Sequence, residues 1–152
     1  MNTAFKNGLS ILFVVLLTAS QAFSFFLVDD KQDLDGLADG FAIAMVKKDK
    51  AWMEANFTNA CVTITQNGET PDKALTIKAF CGEVYDIKKS SADNKSFMVA
   101  GADAGGSADY TVEGITKPAG EIIDITGTYK LSFKFRKADK GWQISEILIN
   151  GN

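Results

Sequence analysis

Residues 126–147 read TGTYKLSFKFRKADKGWQISEI, from Thr126 to Ile147. The segment alternates, turns once and alternates again. With the residues just before it, the odd positions are Ile123, Ile125, Gly127, Tyr129, Leu131, Phe133 and Phe135. The even positions are Asp124, Thr126, Thr128, Lys130, Ser132, Lys134 and Arg136. A period of two separates a dry face from a wet one, which predicts a long strand from Glu121 to Arg136. Gly127 marks a bend or bulge in it. ADKG makes the turn, and WQISEILI returns as the last strand. Trp142, Ile144, Glu146 and Leu148 share one face of that last strand.

Upstream, Leu34, Leu37, Ala38, Phe41 and Met45 recur at three- and four-residue spacing, an amphipathic helix starting near Asp30. Asp29, Asp30 and Asp33 sit at its positive end and Lys47 and Lys48 at its negative end. Asp49 caps a short second helix, AWMEANF, with Trp52 packed inward. Val62 and Ile64 predict a short strand, and Asn67-Gly68 a turn. A third helix starts with Thr70 as cap and Pro71 at its first position. Residues 90–107 read as a strand around FMVA with loose, glycine-rich flanks, and Tyr110 and Val112 lie on a further strand. Helices first and an antiparallel sheet after them make an α+β fold, the sheet curling around the helices.

The chain has 152 residues, 46% apolar and 23% charged, with a net charge of −3. MNTAFKNG carries Lys6, LSILFVVLL is an apolar run, and TASQA offers small residues for cleavage after Ala22. The expectation is a signal peptide over residues 1–22, one domain over 23–152, and secretion to the extracellular space. Ser20, Gln21 and Ser24 interrupt the run, which is short for a membrane span of about 20 residues. No membrane association is expected after cleavage. The acidic balance gives no basic patch to neutralise phosphates, so nucleic acid is not an expected partner, although an acidic chain can hold a local basic spot.

Cys61 and Cys81 are the two cysteines. An oxidising compartment permits a disulfide between them, closing a loop of about 20 residues and adding roughly 3 kcal/mol. The expectation includes that bridge, with two separate buried thiols as the alternative. Two cysteines and no histidine make a metal site unexpected, and no motif calls for a cofactor. Asn56-Phe57-Thr58 and Asn94-Lys95-Ser96 are N-glycosylation sequons. GADAGG lacks the features of a phosphate or calcium loop. Without an imidazole, neither serine nor cysteine has a base for nucleophilic catalysis.

The first helix up to Asp49 with Trp52, the link from Phe57 to Ile64, and above all TGTYKLSFKFRKADKGWQISEI resemble the NTF2-like superfamily, near its SnoaL-like and DUF4440-like branches. Asp139, Gly141 and Trp142 reproduce the turn before the last strand of that superfamily. The resemblance implies a cone-shaped fold with a pocket between helices and curved sheet. It implies ligand binding, protein binding, or isomerase- and dehydratase-type chemistry through an internal Asp or His. Here the last strand offers Glu146 and Leu148 where related enzymes carry histidines.

Two functions follow as expectations. The first is a non-catalytic module holding a small apolar ligand, or a protein partner. Its pocket is expected from Phe41, Met45, Trp52, Tyr129, Leu131, Phe133, Trp142, Ile144 and Glu146. The alternative is an enzyme acting on a small apolar carbonyl compound. There an inward Glu146 transfers a proton, and Tyr129 or Tyr110 donates to an oxyanion. Lys130, Lys134 and Arg136 form a row on the wet face. A homodimer through that face would need apolar area from another strand, such as one exposing Ile147 and Ile149.

Overall fold

The computed structural model describes residues 29–66 and 68–150. The expected leader and its cleavage site lie outside them. Residues 29–47 are helical (α1). Leu34, Leu37, Ala38, Phe41 and Met45 are all buried, so the apolar stripe is the face turned to the core. The helix ends where Lys48 turns left-handed, at φ 51°. The Asp49 amide then donates to the Ala44 carbonyl, closing the last turn. The Lys48 ammonium extends to the Gly82 carbonyl at 2.8 Å, tying this end to the end of a later helix.

Asp49 caps α2 (Lys50–Asn56), its carboxylate accepting from the Trp52 amide at 2.9 Å. Met53 is the buried residue of this helix, while Trp52 lies half-buried along α1. Gly40 makes that approach feasible, since a Cβ there would sit 2.4 Å from the indole. Strands β1 (Phe57–Thr65) and β2 (Gly68–Thr70) follow. The third helix, α3 (Lys73–Cys81), is capped by Asp72, which accepts from the Leu75 amide. The cap is therefore two residues later than expected, and Pro71 stays outside the helix. Asp72 wins because its carboxylate reaches the amide three residues on.

The remaining strands are β3 (Tyr85–Ala100), β4 (Asp103–Thr116), β5 (Ile123–Asp124), β6 (Gly127–Ala138) and β7 (Gly141–Asn150), with a 3₁₀ turn at Pro118–Gly120. They form one sheet in the order β2-β1-β7-β6-β4-β3, with β5 also on β4. The β1–β7 pair is parallel and the other pairs are antiparallel. The result is an α+β fold with the helices against a strongly curved mixed sheet, the cone expected from the resemblance.

Two departures from the expected strands have local causes. Residues 90–107 are not a short strand with loose flanks but most of a long hairpin. Gly106 lies inside β4 because β3 passes too close for a side chain: a Cβ would meet the Ser96 carbonyl at 1.9 Å. The long strand from Glu121 is interrupted before Gly127. There the Thr126 hydroxyl accepts from the Gly114 amide, replacing a main-chain rung.

Phe41 of α1 is the hub of the core. Its ring centroid lies 5.1 Å from Phe80, 5.9 Å from Phe57, 6.0 Å from Tyr110 and 6.1 Å from Phe133. Burying such a ring contributes about 2–3 kcal/mol. Phe133 and Trp142 both belong to this interior.

The last strand is not regular. Phe135 pairs with Ile144, but Lys134 pairs with Glu146, so Ser145 is an extra residue. This β-bulge reverses parity. Trp142 and Ile144 face inward before it, and Ile147, fully buried, faces inward after it. The expectation that Ile147 and Ile149 lie on the outer face is thereby corrected. Ile147 packs in the core, and Ile149 is half-buried against it.

Candidate functional site

Between the end of α1, α3 and the concave face of the sheet lies a cavity of about 260 Å³. Met45 enters from α1 and Phe80 from α3. Thr65 and Gln66 close one side, and Tyr85 and Ile87 of β3 another. The sheet floor is Tyr110, Val112 and Thr116 of β4, Tyr129 and Leu131 of β6, and Ile149 of β7, with Ile125 beside them. No charged side chain is among these residues.

The polar atoms of this lining are four hydroxyls with protein partners, the Tyr85 phenol and the exposed Gln66. Tyr110 donates to the Ala38 carbonyl at 2.7 Å, and Tyr129 to the Ile125 carbonyl at 2.8 Å. Thr116 donates to the Val84 carbonyl at 3.1 Å, and Thr65 to the Gly68 carbonyl at 3.2 Å. Tyr110 is fully buried, and burial, then the negative Asp39, holds its phenol neutral with a pKa well above the ordinary value. The Tyr85 ring stacks on Phe80 at 6.2 Å.

Of the pocket residues expected from sequence, Met45, Tyr129 and Leu131 line the cavity. Phe41, Phe133, Trp142 and Ile144 are packed into the core instead. Trp52 and Trp142 flank a separate polar groove with Asn56 and Lys140. Glu146 turns to the outer face at the Ser145 bulge and forms an ion pair with Lys134 at 2.8 Å. It is not among the residues that line the cavity with Tyr110 and Tyr129. Those two tyrosines do meet there, although their protons are engaged by carbonyls rather than directed at a ligand. Sequence reasoning missed Phe80, Tyr85 and Ile87, whose place depends on how α3 and β3 fold back. It missed Ile149 because of the bulge.

The expected Cys61–Cys81 disulfide is not formed: both thiols are free. Cys61 points from β1 into the core, where burial pushes its pKa up to about 12. Helix α3 presents Thr76, Ile77 and Phe80 to the interior, and the Thr76 hydroxyl meets Thr63 of β1 at 3.4 Å. That phase turns Cys81 toward Met53 of α2, with the sulfurs 3.6 Å apart. The helix rotation, not the loop length, separates the two cysteines.

The Asn56 amide donates to the Trp52 carbonyl at 2.8 Å and is half-buried. Asn94 is exposed at an irregularity of β3, left-handed at φ 48°, and donates to Asp109. On the outer face Lys134 pairs with Glu146, Arg136 with Asp103 and, at 3.9 Å, Lys130 with Asp109. Among the described residues no cluster of His, Cys, Asp and Glu could hold a metal ion. No helix among them is long and apolar enough to cross a membrane.

By sequence, the chain matches no family model and no curated protein. By structure it is similar to an NTF2-like superfamily protein from Salmonella enterica, at TM-score 0.68 and 16% identity, covering 82% of this chain and 92% of that one. An NTF2-like protein from Cytophaga hutchinsonii is similar at TM-score 0.66 and 13% identity, covering 83% and 96%. Another from Novosphingobium aromaticivorans, described as having a cystatin-like fold, is similar at TM-score 0.68 and 13% identity over 86% and 87%. At these identities the likeness concerns the fold, and the fold of this chain is that of the NTF2-like superfamily.

Proposed function

We propose that the protein is a secreted, non-catalytic NTF2-like domain of the SnoaL-like or DUF4440-like kind that holds a small apolar molecule in its cavity. The observation that carries this reading is the lining: apolar and aromatic side chains around about 260 Å³, without a carboxylate, an imidazole or an ammonium. Ligand sites are concave and mostly apolar with few polar groups. A cavity of about 150 Å³ already takes benzene, so this one suits a molecule of one substituted ring.

The alternative, an isomerase or dehydratase working through Glu146, needs that acid beside Tyr110 and Tyr129. The Lys134 pair on the outer face supports the binding reading instead. Secretion rests on the leader over residues 1–22. Of the two sequons, Asn94 has the exposure a glycan needs, whereas Asn56, at the end of α2, is half-buried with its amide bonded to the Trp52 carbonyl.

The test is titration of secreted protein with n-butylbenzene, followed through the ring NMR signals of Tyr110 and Tyr129, beside an Ile149→Trp variant that fills the cavity. Saturable shifts that the variant abolishes support the reading. Shifts retained in a folded variant, or none in either protein, reject it. The intact mass of the same material reads the mature N-terminus, expected at Phe23, and any glycan.

A further inference from the structure

The cavity has a hydrogen-bonding sense. A carbonyl oxygen can only accept, so in each of the four bonds to Ala38, Ile125, Val84 and Gly68 the side-chain hydroxyl must be the donor. Donation polarises the oxygen and makes it a better acceptor for a second partner. Tyr110 and Tyr129 are paired across β4 and β6 and line the same floor. Tyr110 is fully covered, whereas Tyr129 is half-buried, so the Tyr129 oxygen is the one that retains a lone pair for a ligand and has no proton to offer.

We propose that the pocket selects an apolar molecule carrying a hydroxyl donor over the ketone or carboxylate of the same skeleton. This rests on the reading of the cavity as a ligand site. An alcohol can donate to a tyrosine oxygen and stay satisfied. A ketone brings a second acceptor to the engaged hydroxyls, so its oxygen goes unpaired beside them in a largely apolar site. A carboxylate meets no cation in the lining. Tyr85 is the exception: among the described residues its hydroxyl has no hydrogen-bond partner, so it is free to donate. Gln66 is exposed and carries both functions.

This sense is the reverse of a site that activates a carbonyl, where donors converge on the ligand oxygen. It also accounts for the tyrosines without assigning them chemistry. Both hold backbone elements in place, Tyr110 fastening β4 to α1 and Tyr129 fastening the β5–β6 connection.

The experiment uses menthol, menthone, p-menthane and p-menthane-3-carboxylate, which share a carbocyclic skeleton, titrated into the folded protein. Ring signals of Tyr110 and Tyr129 followed by NMR report binding at this cavity. Menthol is expected to bind tighter than menthone by about fivefold, the scale of one net hydrogen bond, with the carboxylate weakest. Tyr129→Phe is expected to reduce the menthol-to-menthone affinity ratio, in which any change of cavity shape common to both probes cancels. Tyr85→Phe, which removes the free donor, is expected to keep or enlarge the preference. Menthone binding as well as menthol, or a preference lost in Tyr85→Phe, overturns the proposal while leaving the cavity a ligand site. If none of the four probes moves the tyrosine signals, the ligand-site reading itself falls, and this inference with it.

Discussion

The Asp30 carboxylate accepts the indole N–H of Trp142 at 2.8 Å, joining α1 to the final hairpin across 112 positions. The same oxygen accepts from the Lys137 ammonium at 2.5 Å, and that ammonium lies 5.3 Å from the centre of the Trp142 ring. Asp30 is mostly covered, at 14% side-chain exposure, while Lys137 is 43% exposed. The Asp30 carboxyl is held below its ordinary pKa, first by the Lys137 hydrogen bond and then by the indole. A depressed folded-state pKa contributes stability that is present above the unfolded value of about 3.9 and lost as pH falls through the folded value. Asp30→Asn should therefore cost about 0.5–1 kcal/mol at neutral pH, discounted for the exposed lysine. Urea unfolding of both proteins should show the gap closing below about pH 4.

Gly106 and Gly105 are neighbours with different constraints. A Cβ on Gly106 would collide with the Ser96 carbonyl, whereas one on Gly105 would lie 3.3 Å from the Phe133 carbonyl. Gly106→Ala is expected to destabilise by about 1–3 kcal/mol, because β3 must move away from β4. Gly105→Ala should cost less than about 1 kcal/mol, since alanine also lowers the entropy of the unfolded chain. Paired thermal or urea denaturation reads the difference.

Tyr110→Phe removes the hydroxyl that fastens β4 to the Ala38 carbonyl while keeping the ring among Phe41 and Phe133. The expected loss is about 1 kcal/mol, since the helical carbonyl keeps its own main-chain bond. A loss of several kcal/mol would mean the ring packing depends on that anchor.

The two thiols should behave differently toward a thiol reagent. Cys61 is fully buried with its pKa up at about 12, so it should react only on unfolding. Cys81 is half-buried, its thiol also raised by burial, and should react slowly in the folded protein. Treatment with a reductant should leave the intact mass unchanged; a gain of two hydrogen atoms would reveal a bridge.

Glu146→Gln breaks an ion pair whose lysine is 67% exposed. It is expected to change stability by less than about 1 kcal/mol and to leave occupancy of the cavity unaltered. A large loss of ligand affinity would return the acid to the site.

Much of the fold was legible because period and face coincide there. The α1 stripe from Leu34 to Met45 is buried as its spacing requires, and Leu131, Phe133 and Phe135 are buried as alternation requires. Asp49 capped its helix because a cap is a local arrangement. The cavity was less legible. Tyr129 and Leu131 came from strand parity, but Phe80 and Tyr85 came from elements whose contacts span the molecule.

The amino-acid sequence by itself determined the leading helix, the late aromatic hairpin, the acidic balance and the lack of histidine, because each follows from composition or short-range periodicity. Only the tertiary structure decided where Glu146 points, which tyrosine protons are engaged and whether Cys61 meets Cys81. One extra residue at Ser145 reverses every side chain after it, and the phase of one helix turns Cys81 to Met53. Both depend on how distant segments pack, a choice made by the whole core rather than by neighbours in the chain.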